Sequence, residues 1–339
     1  MKSDPMIKHA PLLVGLLALA ACSETTHFQP YAPQAAARLC CADSLAAMNG
    51  SDRVIVPPLA ARMDPLFAPK QVLYVSTGGD IAAFAWPNPG QLLGVIPGSN
   101  PQGECPSGNG DWWVVATGNL GQVSHVREYG HWGGKQLAVL SEGKAANAVS
   151  CAIDPINGDL AVGNFTTNGS SGPGSIGVFH HAHGRATIYQ APKFLHVYFV
   201  GYDPKGKLYL DGIDDSKAFA LASFNGKTFT PIVVSGATIN FPGAVQYADG
   251  SLTLADQLGA SGYSVVYRIS SGGKVTGSTQ LQQSTDCVET FIYGKRVICP
   301  NAYNGGGGSV LIYPYPAGGN PLETITGFPS TPSSAVVSN

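Results

Sequence analysis

Five copies of one short pattern, a turn glycine followed by a hydrophobic strand, constrain this chain more than any other feature. They are Gly110-Asp-Trp-Trp-Val-Val, Gly158-Asp-Leu-Ala-Val, Gly206-Lys-Leu-Tyr-Leu, Gly250-Ser-Leu-Thr-Leu and Gly294-Lys-Arg-Val-Ile, spaced by 48, 48, 44 and 44 residues. An earlier copy, Gln71-Val-Leu-Tyr-Val, lies 39 residues before Gly110 and lacks the glycine. Another short apolar stretch precedes most of the glycines, at 149–153, 198–202, 244–247 and 287–292. Tight turns such as Asp154-Pro-Ile-Asn-Gly and Asp203-Pro-Lys-Gly join the two. Proline presets φ in such a turn, glycine takes the positive φ, and the Asp caps its own backbone.

Third stretches follow at 175–180, 218–224, 264–269 and 309–313, and fourth stretches at 185–190, 228–234, 275–280 and 322–327. These segments alternate or run short and β-branched, which argues against a helical repeat. Four strands per unit of about 45 residues is the pattern of a propeller blade. The first copy has no preceding strand of its own. The C-terminal Ser334-Ala-Val-Val-Ser is similar to Ala148-Val-Ser-Cys-Ala, which opens a later blade. The chain is therefore expected to be all-β, a six-bladed β-propeller with four-stranded antiparallel blades. The C-terminal strand should pair beside 72–76 and close the ring, leaving the first and last blades without a free inner edge.

Composition agrees and removes other classes. Gly and Pro together number 43 + 25 = 68 of 339 residues, while 44% of the chain is hydrophobic, so a turn-rich folded protein fits and disorder does not. Only 12% of residues are charged and the net charge is −2. No basic stripe is present, so no nucleic-acid partner is expected.

The N-terminus supplies an address. Lys2 and Lys8 precede an apolar run at 12–21, which is too short to span a bilayer and suits a secretory signal. Met6 is an alternative start. The run ends Leu19-Ala20-Ala21-Cys22, which resembles the lipobox of bacterial lipoproteins. That resemblance implies a signal peptide over 1–21 and a lipidated, palmitate-bearing Cys22. Residues 22–66 then read as a tether, ordered only in part, in which 35–48 suits a short helix stopped by Asn49-Gly50. The propeller occupies 67–339. Ser23 after the cysteine favours the outer membrane by the rule of enteric lipoproteins. The expected location is the bacterial cell envelope, lipid-anchored, with the domain periplasmic or surface-exposed.

Seven cysteines are present, and setting Cys22 aside for lipid leaves six, an even number suited to an oxidising compartment. No Cys-x-x-Cys occurs, and no Cys/His spacing matches a zinc site.

The unit resembles NHL-type six-bladed propellers. The resemblance rests on Gly103-Glu-Cys-Pro-Ser-Gly-Asn-Gly-Asp-Trp-Trp-Val-Val, Cys151-Ala-Ile-Asp-Pro-Ile-Asn-Gly-Asp-Leu-Ala-Val-Gly-Asn and Val200-Gly-Tyr-Asp-Pro-Lys-Gly-Lys-Leu-Tyr-Leu-Asp-Gly. It is more specifically similar to uncharacterised exported bacterial propellers, whose Tyr-Pro-x-Gly-Gly turns resemble Tyr315-Pro-Ala-Gly-Gly. The resemblance covers about residues 70–338 and speaks to architecture, since propellers host many unrelated activities. In the blade frame Cys105 and Cys151 open successive blades, so a bridge between neighbouring strands is expected. Cys287 and Cys299 flank a hairpin near Tyr293-Gly294, and a three-residue loop would set them face to face. For the adjacent Cys40 and Cys41, pairing with each other, with another chain or with nothing stays open.

The chemical signal is thinner. Glu104, Asp286 and Glu289 lie close to opening strands, where carboxylates could do acid–base work or hold a cation. A lactonase of the gluconolactonase type, also a six-bladed propeller, binds a divalent metal through a channel Glu, Asn and Asp. That full set is not found here in matching context. Asn147, His196 and Asn240 occupy similar positions in blades three to five, as a ring of polar groups at a channel mouth or as hydrated surface. His180-His181-Ala182-His183 offers imidazoles for a metal, but it sits at an expected peripheral turn, and a solvated turn is the expectation. His125 and His131 read as surface residues. Trp112 and Trp113 point to opposite faces of one strand, and one of them should pack between blades. The Asn164-Phe-Thr and Asn168-Gly-Ser sequons carry little weight in a bacterial lipoprotein. Gly305–Gly308 reads as a blade turn, and no Gly-x-Ser-x-Gly elbow occurs.

The expected function is an envelope-anchored, non-catalytic scaffold that binds a small-molecule ligand or an envelope protein, without a cofactor. One alternative is a metal-dependent lactonase or hydrolase with a divalent cation such as Ca in the channel. Another is a structural component of envelope assembly.

Overall fold

A computed structural model of the chain describes residues 70–339 apart from 91, 99, 117–122, 133, 143–146, 168–171 and 303–307. Cys22, Cys40, Cys41, the signal segment 1–21 and the tether 22–66 lie outside the described residues. Among the described residues, twenty-four strands form six antiparallel sheets of four strands each.

Blade one holds β1 (Val72–Thr77), β2 (Asp80–Ala85) and β3 (Leu92–Pro97). Blade two is β4 (Pro101–Pro106), β5 (Trp112–Ala116), β6 (His125–Tyr129) and β7 (Gln136–Ser141). Blade three is β8 (Ala148–Ile153), β9 (Leu160–Asn164), β10 (Ser175–Phe179) and β11 (Thr187–Gln190). Blade four is β12 (His196–Tyr202), β13 (Leu208–Ile213), β14 (Phe219–Phe224) and β15 (Phe229–Pro231). Blade five is β16 (Pro242–Ala248), β17 (Ser251–Asp256), β18 (Val265–Ile269) and β19 (Val275–Gln280). Blade six is β20 (Phe291–Tyr293), β21 (Arg296–Asn301), β22 (Ser309–Pro314) and β23 (Glu323–Ile325). The last strand, β24 (Pro332–Ser338), is the inner strand of blade one.

The inner strands β24, β4, β8, β12, β16 and β20 touch one another in that order around the ring. All five repeat glycines take positive φ, from 58° at Gly294 to 94° at Gly110, as the turns into the second strands require. β24 pairs antiparallel with β1, setting Tyr74 opposite Val336 and Ser76 opposite Ser334. Every residue of β24 is buried, so closure is built from hydrophobic burial as well as ladder hydrogen bonds.

Side chains alternating across each blade fill the spaces between blades. Trp112 stacks on Tyr74 of blade one at 4.0 Å between ring centroids. Trp113 turns the other way, into a cluster with Cys105, Cys151, Leu160 and Phe179. Both tryptophans therefore pack between blades, where one was expected. The inner strands approach so closely that a Cβ on Gly201 would strike the Val245 carbonyl of the next blade.

Blade six departs from the expected pattern. Its inner strand is only three residues long, and the hairpin loop is the two residues Gly294-Lys295 rather than three. Val288 donates its N–H to the Pro300 carbonyl at 3.1 Å, but proline has no N–H to return. Asn301 Oδ1 accepts the N–H groups of Thr285 (3.0 Å) and Asp286 (3.1 Å), which takes them out of the ladder. The segment before β20 is therefore irregular, and Cys287 still bonds Cys299.

Candidate functional site

The inner strands line a cavity of about 320 Å³, formed by the C-terminal halves of β4, β8, β12 and β16, the start of β20 and the middle of β24. Their convergence around the ring brings residues far apart in sequence onto one wall. On one side the Cys105–Cys151 disulfide joins β4 to β8, its Cα atoms 5.6 Å apart. Tyr202 and Tyr247 stand on β12 and β16, and Glu289, Thr290 and Phe291 come from the irregular start of blade six. Among the described lining residues there is no Lys, Arg or His.

Glu104 and Glu289 are the polar centre of this wall. Ser76 Oγ donates to Glu104 Oε1 at 2.7 Å. Glu104 Oε2 is buried and has no hydrogen-bond partner among the described residues. Burial pushes the Glu104 carboxyl up to about 8, against the lowering effect of Ser76. Glu289 Oε2 accepts the backbone N–H of Glu104 at 3.1 Å. Burial holds Glu289 well above the ordinary carboxylate value, the bond from Glu104 N–H opposes this, and the charge of Glu104 adds to it. The ring order explains the meeting. β24 lies between β20 and β4, and Glu289 sits beside Ser334 in a parallel bridge. The neighbouring Ala335 is also small and lines the cavity, so a long side chain can pass across the strand.

The third carboxylate candidate, Asp286, is not with them. Its backbone is held by Asn301, and burial raises its carboxyl to about 6. Asn147, His196 and Asn240 lie at or before the ends where β8, β12 and β16 begin, and none of the three is among the cavity lining. His196 and Asn240 bond their own surroundings, whereas Asn147 is held through its backbone and its Oδ1 is buried with no hydrogen-bond partner among the described residues. The Asn147 carbonyl accepts the Phe165 N–H at 2.7 Å. His196 stacks on Phe165 at 3.7 Å with Nδ1 3.1 Å from the Phe165 carbonyl, and burial lowers its pKa against that hydrogen bond. Asn240 Nδ2 donates to the Leu258 carbonyl at 2.7 Å.

The histidine cluster forms an exposed 3-10 turn over His180–Ala182, with His180 Nδ1 3.2 Å from Asp159 Oδ2. Among the described residues no three His, Cys, Asp or Glu side chains converge as a metal site. His131 is half-buried, its Nδ1 2.6 Å from Ser338 Oγ, so it helps anchor the closing strand rather than lying free on the surface. Asn164 of the first sequon is fully buried.

Two groups escaped the sequence reading. Tyr202 is the last residue of β12 and Tyr247 the last but one of β16, both just before the repeat turns, and that similar position was the available signal. Asn164, Asp256 and Asn301 each fall four residues after the first core residue of a second strand, Leu160, Leu252 or Val297. Asp256 binds the N–H groups of Asn240, Phe241 and Leu258 at 3.0–3.1 Å. Asn164 Nδ2 donates to the buried Glu142 Oε1 at 2.9 Å, and burial raises Glu142 to about 7 against that hydrogen bond.

No family model matches the sequence, and no curated protein sequence matches it. Solved structures do match in shape. One is a chain of a nidogen/laminin complex, with a TM-score of 0.61 and 11% identity over 79% of this chain and 98% of that one. Another is a periplasmic gluconolactonase from Pseudomonas aeruginosa, with a TM-score of 0.53 and 14% identity over 79% of this chain and 99% of that one. At such identities the likeness establishes the six-bladed fold, and function has to come from the site.

Proposed function

We propose that the protein is an envelope-displayed, non-catalytic propeller that binds a small molecule in its central cavity. The observation that carries this reading is the cavity itself. Its volume of about 320 Å³ lies at the lower end of the range for small-molecule sites, and its wall mixes apolar surface with a few convergent polar groups. Display on the envelope through lipid on Cys22 draws support from the Leu19-Ala20-Ala21-Cys22 sequence. The two disulfides suit an oxidising compartment.

A hydrolase of the gluconolactonase kind is the second reading, and the meeting of Glu104 and Glu289 is what favours it. Its metal does not fit well. Calcium takes about six to eight oxygen ligands, and here two carboxyls meet while Asp286 is held elsewhere.

A screen of small molecules by thermal shift and direct titration, on the mature chain from Cys22, tests the binding reading. Ala152 lines the cavity, so Ala152→Phe should fill it and abolish binding of any hit. Hits that survive this substitution would place the ligand elsewhere. Lactone hydrolysis lost in Glu104→Gln would replace the binding reading with the hydrolase.

A further inference from the structure

The wall chemistry narrows the class of ligand; this step rests on the cavity-binding role proposed above. Glu104 and Glu289 are buried side by side on the wall, and Asp203 adds a third acidic side chain to the lining. No basic side chain accompanies them among the described lining residues. Glu104 Oε2 is a buried acceptor with no donor among the described residues. A buried carboxyl left in this state is unfavourable unless something supplies a donor or a positive charge. The remaining wall is apolar and aromatic, with Tyr202, Tyr247 and Phe291 prominent.

We propose that the cavity binds a small organic cation, an alkyl- or arylalkyl-ammonium, whose charged nitrogen meets Glu104 and Glu289 while its hydrocarbon packs against Tyr202, Tyr247 and Phe291. An anion would find no basic side chain among the described lining residues to pair with. A bare divalent metal would find too few oxygens. An ammonium suits both halves of the site, since it pairs with carboxylates and is attracted to aromatic rings.

Binding should release protons. Burial keeps Glu104 protonated near neutrality, with a value of about 8, and raises Glu289 well above its ordinary value, while an adjacent cation favours the charged form of each. Affinity should therefore rise with pH. The other ionisable groups around the pair are Tyr74 of β1, which feels the charge of Glu104, and Tyr202, Asp203 and Tyr247, which line the same cavity from blades four and five. Tyr74 and Tyr202 are raised by burial and stay protonated throughout this window.

The test compares benzylammonium, benzyl alcohol and benzoate as matched probes, with calcium chloride as a fourth. Titration calorimetry on the mature chain, in two buffers of different ionisation enthalpy, reads both affinity and protons released. Benzylammonium should bind at least about tenfold tighter than the alcohol, and its affinity should rise by up to about tenfold per pH unit between about pH 6 and 8. Benzoate should not bind. Combined Glu104→Gln and Glu289→Gln should erase the preference for the cation over the alcohol. If that variant fails to fold, the wild-type pH series decides alone. Equal binding of alcohol and ammonium, or affinity that ignores pH, overturns the cation assignment and leaves cavity binding standing. Stabilisation by calcium alone overturns it in favour of a metal. No response to any probe at millimolar concentration also overturns it. The cavity-binding role fails separately, if hits from the wider screen are insensitive to Ala152→Phe.

Discussion

Glu289 reaches across the closing strand to accept the backbone N–H of Glu104 at 3.1 Å, although the two residues are 185 positions apart. They come from blades six and two, and the strand between them, β24, belongs to blade one. The contact exists only when the ring is closed, so the cavity wall and the closure of the fold depend on the same strand.

The pair makes stability depend on pH in a defined direction. Glu104 has an ordinary value of 4.5 and is raised to about 8 in the folded protein. The native state therefore holds more protons than the unfolded chain between these values. Its contribution is fully present below about pH 4.5 and is lost as pH rises through about 8. Glu142, raised to about 7, and Asp286, raised to about 6, act in the same direction. Melting temperature should fall from about pH 5 to 8, and Glu104→Gln should make the decline shallower. A melting temperature that climbs over this interval would contradict the burial argument.

The two disulfides should differ in worth. Cys105–Cys151 closes a separation of 46 residues, and Cys287–Cys299 one of 12. Chain entropy assigns them about 4 and about 3 kcal/mol respectively. Paired Cys→Ala substitutions, compared by urea unfolding, should destabilise more at 105 and 151 than at 287 and 299. The reverse order would mean that local packing around Cys287, rather than loop closure, dominates.

Closure can be removed directly. Truncation after residue 331 deletes β24, whose residues are all buried, and exposes the inner edge of β1. The shortened chain should lose cooperative unfolding or aggregate through the unpaired edge. Val336→Asp should act likewise, since it buries a charge opposite Tyr74. A cooperative melt from the truncated protein, near the wild-type temperature, would show that the ring does not need its last strand.

Asp256 is a structural anchor in blade five. Its carboxylate accepts three backbone N–H groups around the start of β16. Asp256→Leu leaves those donors without a partner and should cost about 1–3 kcal/mol or more. Asp256→Asn keeps one acceptor oxygen and should cost less. Chemical denaturation of the two variants separates the outcomes, and equal losses would assign the effect to shape instead.

The sequence by itself determined the blade count, the order of strands within each blade, the closing strand and both cysteine pairs within the propeller. These follow from local codes. A positive-φ glycine marks five of the turns, short apolar or β-branched runs mark the strands, and a near-constant period of about 45 residues places equivalent strands beside one another. Tertiary structure alone decided which polar residues meet. Asn147, His196 and Asn240 hold similar repeat positions, yet they do not converge: His196 and Asn240 bond the local Phe165 and Leu258 carbonyls, and the Asn147 Oδ1 is buried with no hydrogen-bond partner among the described residues. Glu104 and Glu289 lie six and five residues before the repeat glycines of their blades, a match no closer than that of the polar trio, yet these two touch. Their meeting depends on the inserted closing strand, on small Ser334 and Ala335, and on the irregular run that Pro300 and Asn301 impose before β20. Repeat position alone does not say which equivalent side chains meet, because a side chain crossing from one inner strand to the next but one is set by distances around the ring rather than by spacing along the backbone.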